Sequence, residues 1–436
     1  MLTLNYLKEQ KKAILIEVLP PETTAEEAEI RLNESEALIN TYGGIVVLKV
    51  IQQRNLPEYS TYIGSGKIKE LQDIVIETGA TSIIINNILK PRQIFNLQEK
   101  FRELKLENEL DIWDRVDLIL KIFDKHAKST EAKLQIELAS IKHMGPRIFN
   151  MGMELSRQAG AVGLRSGQGE SNTEMMKRHL QRQEINISDK LKHYQNIRGG
   201  HRQRRRRQDL KTVALVGYTN AGKSSLLNAL TNKGAYVADQ LFATLDTRVG
   251  KLYLQNEIQD YTDYKYQKGG SEILIADTIG FIRDLPPFLI ESFKSTLAET
   301  IEADLIMHVI DINDPQIEAK IEVVETILTQ LGIGDTPEIY VFNKVDLINP
   351  TALEEKILDP VIEYQGLVPA GPTAALDLGW ISEEEYNRKH ALPMPKIHPQ
   401  DLKDKYSHHK PVFISANEQK NLEDLKKIIK IRLGLN

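Results

Sequence analysis

The 436-residue sequence predicts an α/β protein in three parts: an N-terminal α/β domain, an antiparallel helical hairpin, and a second α/β domain with a mostly parallel sheet. Three observations predict it. Short apolar runs alternate with helical patterns up to about residue 105, as parallel strands with packed helices do. Apolar residues then recur at helical spacing. Beyond residue 209 an apolar strand runs straight into a glycine-rich loop of the form GxxxxGK[ST] and on into a helix. The expected boundaries are 1–112, 113–208 and 209–436.

Composition excludes several classes. A chain of this length exceeds one compact core. No apolar run approaches the roughly 20 residues of a membrane-spanning helix. The opening MLTLNYLKEQKK has neither an apolar core nor a small-residue cleavage site, so export is not expected. There are no cysteines, which removes disulfides, thiol catalysis and thiolate metal sites and fits a cytoplasmic protein. Net charge is −5, so any nucleic-acid surface must be a local patch. The ten histidines show no ligand spacing that calls for a metal.

In the first part, Ile14–Val18, Ile45–Val50 and Ser82–Ile85 read as strands, with helical patterns over Thr24–Tyr42 and Lys67–Thr78. The stretch GSGK, Gly64–Lys67, lacks a second glycine at phosphate-loop distance and a hydroxyl after the lysine. It reads as a turn entering a helix.

From Trp113 to Ile148 the pattern is helical: Leu118, Ile119, Ile122 and Phe123, then Leu134, Ile136, Leu138 and Ile141. The glycine-rich GAVGLRSGQGE, Gly160–Glu170, follows, and a polar helical stretch covers Thr173–His193. Two long helices joined by a loop predict a hairpin. Residues 171–211 then hold twelve Lys/Arg against four Asp/Glu. Arg204, Arg205, Arg206 and Arg207 are contiguous and repel one another unless an anion accepts them. A phosphate backbone would, through counterion release; the competing reading is a solvated helix face with a basic linker. Without interleaved aromatics, contact by shape and phosphate is expected rather than base readout.

The third part carries the chemistry. Gly217-Tyr218-Thr219-Asn220-Ala221-Gly222-Lys223-Ser224-Ser225 follows the apolar Val213–Val216 and precedes Leu226-Leu227-Asn228-Ala229-Leu230. In that setting backbone N–H groups wrap phosphates, and the next helix directs its positive end at them. Lys223 would reach the β- and γ-phosphates and Ser224 would ligate Mg²⁺. Asn343-Lys344-Val345-Asp346 follows the apolar Ile339–Phe342. A carboxylate there accepts from both N1–H and the 2-amino group of guanine. Adenine lacks that donor pair, and sites built this way discriminate by ~10⁴ or more. Ser415-Ala416, after Val412–Ile414, suits a backbone contact to guanine O6.

Between these lie LFATLDTRVG and DTIGF. Thr244, flanked by Phe242 and Ala243, is the candidate to ligate Mg²⁺ and sense the γ-phosphate, with Thr247 as the alternative. Asp277 would hold Mg²⁺ through water, and Gly280 N–H, after Thr278 and Ile279, would contact the γ-phosphate. Lys223, Thr244 and Gly280 are thus the expected catalytic set. After a DxxG turn a glutamine often orients the attacking water. Here the residue is Phe281, which can do no such thing.

Taken together, LFATLD, DTIGFIRDLPPFLIESFKSTLAE and the upstream DRVDLILKIFDKHAKSTEAKLQIELA leading to PRI resemble the HflX family of ribosome-associated GTPases, over nearly the whole chain. The resemblance implies an N-terminal HflX domain, a linking hairpin and a Ras-like P-loop GTPase domain. It also implies binding to the large ribosomal subunit, with GTP-dependent splitting or rescue of stalled or idle ribosomes. A hydrophobic residue at 281 is usual there. Three departures stand out. The family's Gly-Pro-Gly-Glu loop element is represented by RSGQGESNTE, without the proline. About 68 residues separate Asp346 from Ser415, long for a compact connection, so an insertion is expected at about 350–410. The chain ends soon after the helical Asn421–Leu433, so the extra C-terminal domain of some members is not expected.

The expectation is therefore a monomeric, ribosome-stimulated, Mg²⁺-dependent GTPase whose GTP form contacts ribosomal RNA through Arg165, Arg202 and Arg204–Arg207. The competing class is a GTP-gated RNA- or protein-binding scaffold, or an assembly factor, in which hydrolysis only times release.

Overall fold

The computed structural model describes residues 11–105, 110–159, 168–231, 241–242, 248–255, 270–293, 297–348, 367–369 and 399–435. The chain divides into two compact units.

The first unit comprises residues 1–125, 136–189 and 359–391. Its sheet holds β1 (Lys12–Leu19), β2 (Ile45–Gln53), β3 (Ser82–Ile85) and β4 (Asp111–Asp114), parallel and ordered β2-β1-β3-β4. The short strand Leu367–Pro369 adds antiparallel to β2, placing its proline on an edge, where the missing N–H costs no ladder bond. Helices α1 (Ala25–Tyr42), α2 (Ser65–Thr78), α3 (Pro91–Arg102) and α4 (Arg115–His126) alternate with the strands. β1 is buried along nearly its whole length, which is why KAILIEVL reads as a near-continuous apolar run. Thr24 caps α1 by accepting the Glu27 N–H at 3.2 Å, and Gly43 closes it in the left-handed region. The GSGK stretch enters α2 with Gly64 as its cap. The core gathers Ile14, Ile16, Val50, Leu71, Ile83, Ile85 and Leu97.

Trp113 belongs to β4, so the helical pattern begins two residues later than the spacing predicts. The strand runs into the helix with no glycine or proline between them, so Ile112-Trp113 merges with the apolar pattern that follows. At that junction Asp114 and Asp117 form a reciprocal capping pair: Asp117 N–H donates to Asp114 Oδ1 at 2.8 Å, and Asp114 N–H to Asp117 Oδ2 at 3.3 Å. His143 Nε2 lies 3.2 Å from Asp114 and 3.4 Å from Asp117. The three residues offer donor atoms within 4.8 Å of one another, a grouping that no spacing in the sequence reveals.

The long helices are α5 (Thr130–Ala159) and α6 (Gln168–Arg207). They run antiparallel: Glu131 pairs with Arg198, whereas a Cβ at Gly145 would lie 3.8 Å from Leu180. The predicted linker is helical, because α6 continues through Gly199-Gly200 to Arg207. Two glycines cost a helix about 1 kcal/mol each; the Arg198 ion pair and the buried Leu191 offset that.

The second unit comprises residues 126–135, 190–358 and 392–436. Its strands are β5 (Lys211–Val216), β6 (Arg248–Gln255), β7 (Gly270–Asp277), β8 (Leu305–Asp311) and β9 (Glu338–Asn343), with Val412–Phe413 at one edge. The order is Val412–Phe413, β9, β8, β5, β7, β6, parallel except for β6. Helices α7 (Lys223–Thr231), α8 (Ile317–Gln330) and α9 (Leu422–Arg432) carry apolar faces into this core. Most of the expected insertion lies outside the described residues. Among the described residues, no helix is long and apolar enough to cross a membrane.

Candidate active site

In an open parallel sheet, ligands sit beyond the carboxyl ends of the strands. The loops after β5, β7, β9 and Val412–Phe413 all leave from those ends.

The loop after β5 is shaped by two glycines. Gly217 has φ +148°, and a Cβ there would stand 2.2 Å from the Val309 carbonyl oxygen. Gly222 has φ +93°, and its Cβ would stand 2.2 Å from Asn343 Nδ2. Neither position tolerates a side chain, so the backbone is free to wrap an anion. Tyr218, Thr219 and Ala221 are buried, Asn220 is exposed in the left-handed region, and Ser225 is half-buried on α7.

Lys223 donates to Gly217 O at 3.0 Å and Tyr218 O at 2.7 Å. Burial lowers its pKa to about 8, partly offset by the Asp277 carboxylate. A buried cation held only by carbonyls is short of negative charge, and phosphate oxygens would supply it. Ser224 Oγ donates to Asp277 Oδ2 at 2.6 Å. A hydroxyl and a carboxylate side by side form a hard-oxygen pair of the kind Mg²⁺ takes.

The turn after β7 presses on this loop. Thr278 Oγ1 donates to Leu215 O at 2.7 Å, and Ile279 is buried. A Cβ at Gly280 would meet Thr219 Cα at 2.9 Å and Lys223 Nζ at 3.0 Å, so only glycine fits. Phe281 N–H donates to Gly217 O and its carbonyl accepts from Thr219 N–H, at 3.1 and 2.8 Å. The Phe281 side chain is 1% exposed, packed inside the domain.

Asn343, 2% exposed, braces two loops. Its Nδ2 donates to Ala221 O at 3.0 Å, and its Oδ1 accepts from Ala416 N–H at 3.0 Å. Lys344 adopts φ +68° and pairs with Asp311 at 2.7 Å, while Asn313 Nδ2 donates to its carbonyl at 2.8 Å. Val345 N–H donates to Ile414 O at 3.2 Å. Asp346 sits half-buried in the tight turn Val345–Leu347. Ser415, fully buried, accepts from Glu418 N–H at its Oγ. The Ala416 N–H offered to guanine O6 is thus engaged with Asn343.

Asp311 and Asn313 support the Lys344 turn and carry no motif in the sequence. Asp311, a carboxylate ending an apolar strand, was the one with a visible signal. Phe242 is buried with φ +56°. Ala243, Thr244, Thr247 and Arg165 lie outside the described residues. Arg202 and Arg206 have helical backbone; Arg204 and Arg207 are exposed and Arg205 half-buried on the last turns of α6.

Three family models match the chain: a 50S ribosome-binding GTPase over residues 212–344, a GTP-binding GTPase N-terminal region over 29–124, and a GTP-binding GTPase middle region over 126–205. GTPase HflX of Caldanaerobacter subterraneus subsp. tengcongensis is 42% identical over 341 residues, 78% of this chain and 74% of that protein. GTPase HflX of Alkalihalophilus pseudofirmus is 40% identical over 337 residues, 76% of this chain and 75% of that protein. A crystal structure of a GTP-binding protein from the archaeon Sulfolobus solfataricus in complex with GDP aligns with TM-score 0.43 at 24% identity, covering 98% of this chain and 99% of that one.

Proposed function

Because the chain belongs to the HflX family of GTPases and is a GTP hydrolase, we propose that it binds the large ribosomal subunit in its GTP form, splits or rescues stalled or idle ribosomes, and leaves on hydrolysis. The observation that carries the nucleotide half is the meeting of the phosphate loop, the DTIGF turn and the NKVD loop at the carboxyl ends of the strands, with Asn343 bracing the phosphate loop. The ribosomal half draws on the description of the family model matched by residues 212–344 and on the basic end of α6.

In this reading Gly217–Ser225 wraps the phosphates and Lys223 exchanges its carbonyl partners for phosphate oxygens. Asp346 reads guanine. Ser224 and Thr244, with Asp277 through water, would hold Mg²⁺, which supplies charge neutralisation at the phosphates when bound with the nucleotide. Thr244 completes the γ-phosphate sensor. With Phe281 buried, no side chain at that position faces the attacking water. Intrinsic hydrolysis is therefore slow, and a partner supplies the missing orientation, a contribution that can reach ~10³–10⁵ in rate. Arg165, Arg202 and Arg204–Arg207 contact ribosomal RNA, the parts of the chain divide near residues 112 and 208, and the protein acts as a cytoplasmic monomer.

Ribosome pelleting with a non-hydrolysable GTP analogue, GDP and no nucleotide tests the switch. Co-sedimentation should be strong only with the analogue, since a ligand shifts states only through differential affinity. Equal pelleting in all three would sink it. Gradient profiles of intact ribosomes under the same conditions separate splitting from simple binding.

A further inference from the structure

Beyond the Ser224–Asp277 bond, residues 281–283 are tied to the phosphate loop by three hydrogen bonds among the described residues. Two are the main-chain pair between Phe281 and residues 217 and 219, a single rung of parallel sheet. The third comes from a side chain: Arg283 N–H donates to the Tyr218 hydroxyl at 2.7 Å. The Tyr218 ring is 7% exposed, and the Lys320 ammonium lies 4.7 Å from its centroid. Lys320 in turn pairs with Asp314. The Arg283 guanidinium donates to Gln316, at the start of α8, at 2.9 Å. Residues 281–283 are thus gripped by the phosphate loop on one side and by the entry to α8 on the other.

The pattern GxxxxGK[ST] leaves position 218 open, so phosphate wrapping alone gives no reason for a tyrosine there. A phenyl ring would fill the same space and keep the cation–π contact. Only the hydroxyl is specific, and it is spent on the backbone just beyond the γ-phosphate turn. We propose that Tyr218 is a positioning residue for hydrolysis: its hydroxyl holds residues 280–283 against the phosphate loop, so that the Gly280 N–H is in place before nucleotide arrives. Donors fixed in advance need no reorganisation as charge develops.

The test is Tyr218→Phe in the full chain, without ribosomes. Losing one net hydrogen bond predicts a change of roughly fivefold. Single-turnover GTP hydrolysis should slow by about that factor, and the preference for a GTP analogue over GDP should fall similarly, with GDP affinity unchanged. Hydrogen exchange at the Arg283 amide should quicken, while α7 keeps its protection. If exchange quickens but turnover and preference hold, the hydroxyl is structural only and the proposal is overturned. It is equally overturned if none of the three moves. The inference rests on the hydrolytic reading of this site. Unmodified protein that turns over no GTP would defeat that reading; turnover untouched by the substitution defeats the inference alone.

Discussion

Asn343 offers the sharpest test of how this site is built. Its side chain makes two hydrogen bonds of 3.0 Å, to Ala221 O and from Ala416 N–H, at 2% exposure. Asn343→Ala leaves one carbonyl and one amide buried without a partner. Each such orphan costs about 1–3 kcal/mol, so the substitution should destabilise the nucleotide-free domain by about 2–6 kcal/mol. Asn343→Asp is isosteric and keeps the bond from Ala416, but sets a carboxylate oxygen against the Ala221 carbonyl. It should be at least as damaging as alanine at neutral pH. The braced loops must be re-ordered when nucleotide binds, so GDP and a GTP analogue should lose affinity by the same factor. Denaturant unfolding without nucleotide measures the first effect, because bound ligand would mask it by mass action. Titration calorimetry measures the second. Unchanged unfolding, or loss of only one nucleotide, would refute the brace.

Three further outcomes are expected. Lys223 has its pKa lowered from 10.5 to about 8 by burial. Between those values the unfolded chain holds a proton that the folded chain has lost, so nucleotide-free stability should rise with pH across that window, by up to ~1.4 kcal/mol per unit. Below pH 8 the penalty is present in full and the slope vanishes. Phosphates favour the charged lysine, so GDP binding above pH 8 should take up a proton; calorimetry in buffers of different ionisation heat would show its absence. Phe281→Ala should cost about 3–5 kcal/mol of stability as a buried aromatic truncation, yet leave GTP binding and turnover per bound nucleotide essentially unchanged, since the backbone pair to the phosphate loop survives. His143→Ala removes the partner of the Asp114–Asp117 cap and should cost the first unit about 1–3 kcal/mol in thermal unfolding, with no effect on nucleotide affinity.

Much of the fold was legible because apolar pattern and local geometry agree. KAILIEVL is buried on both faces and reads as a strand wherever it is placed. The glycines of GYTNAGKSS announce a backbone that no side chain permits. Elements that adjoin another pattern without a break are not legible. β4 passes directly into α4 at Arg115, so Trp113 reads as part of the helical pattern that follows it. The basic run through Gly199-Gly200 looked like a linker because glycine disfavours a helix, and only packing and the Arg198–Glu131 pair decide otherwise.

By itself the sequence determined which residue types are available: a phosphate loop, a carboxylate in the NKVD turn after an apolar strand, and a phenylalanine where a water-orienting amide often stands. Those are properties of residue type and near-neighbour spacing. The tertiary structure alone decided what those residues do to one another. That Asn343 links loops 122 and 73 residues away, and that Tyr218 takes up the Arg283 amide 65 residues on, depends on strand order rather than on sequence distance. The same holds for Phe281. Its identity barred a role in orienting water, but only the sheet around it shows that its backbone joins the DTIGF turn to the phosphate loop.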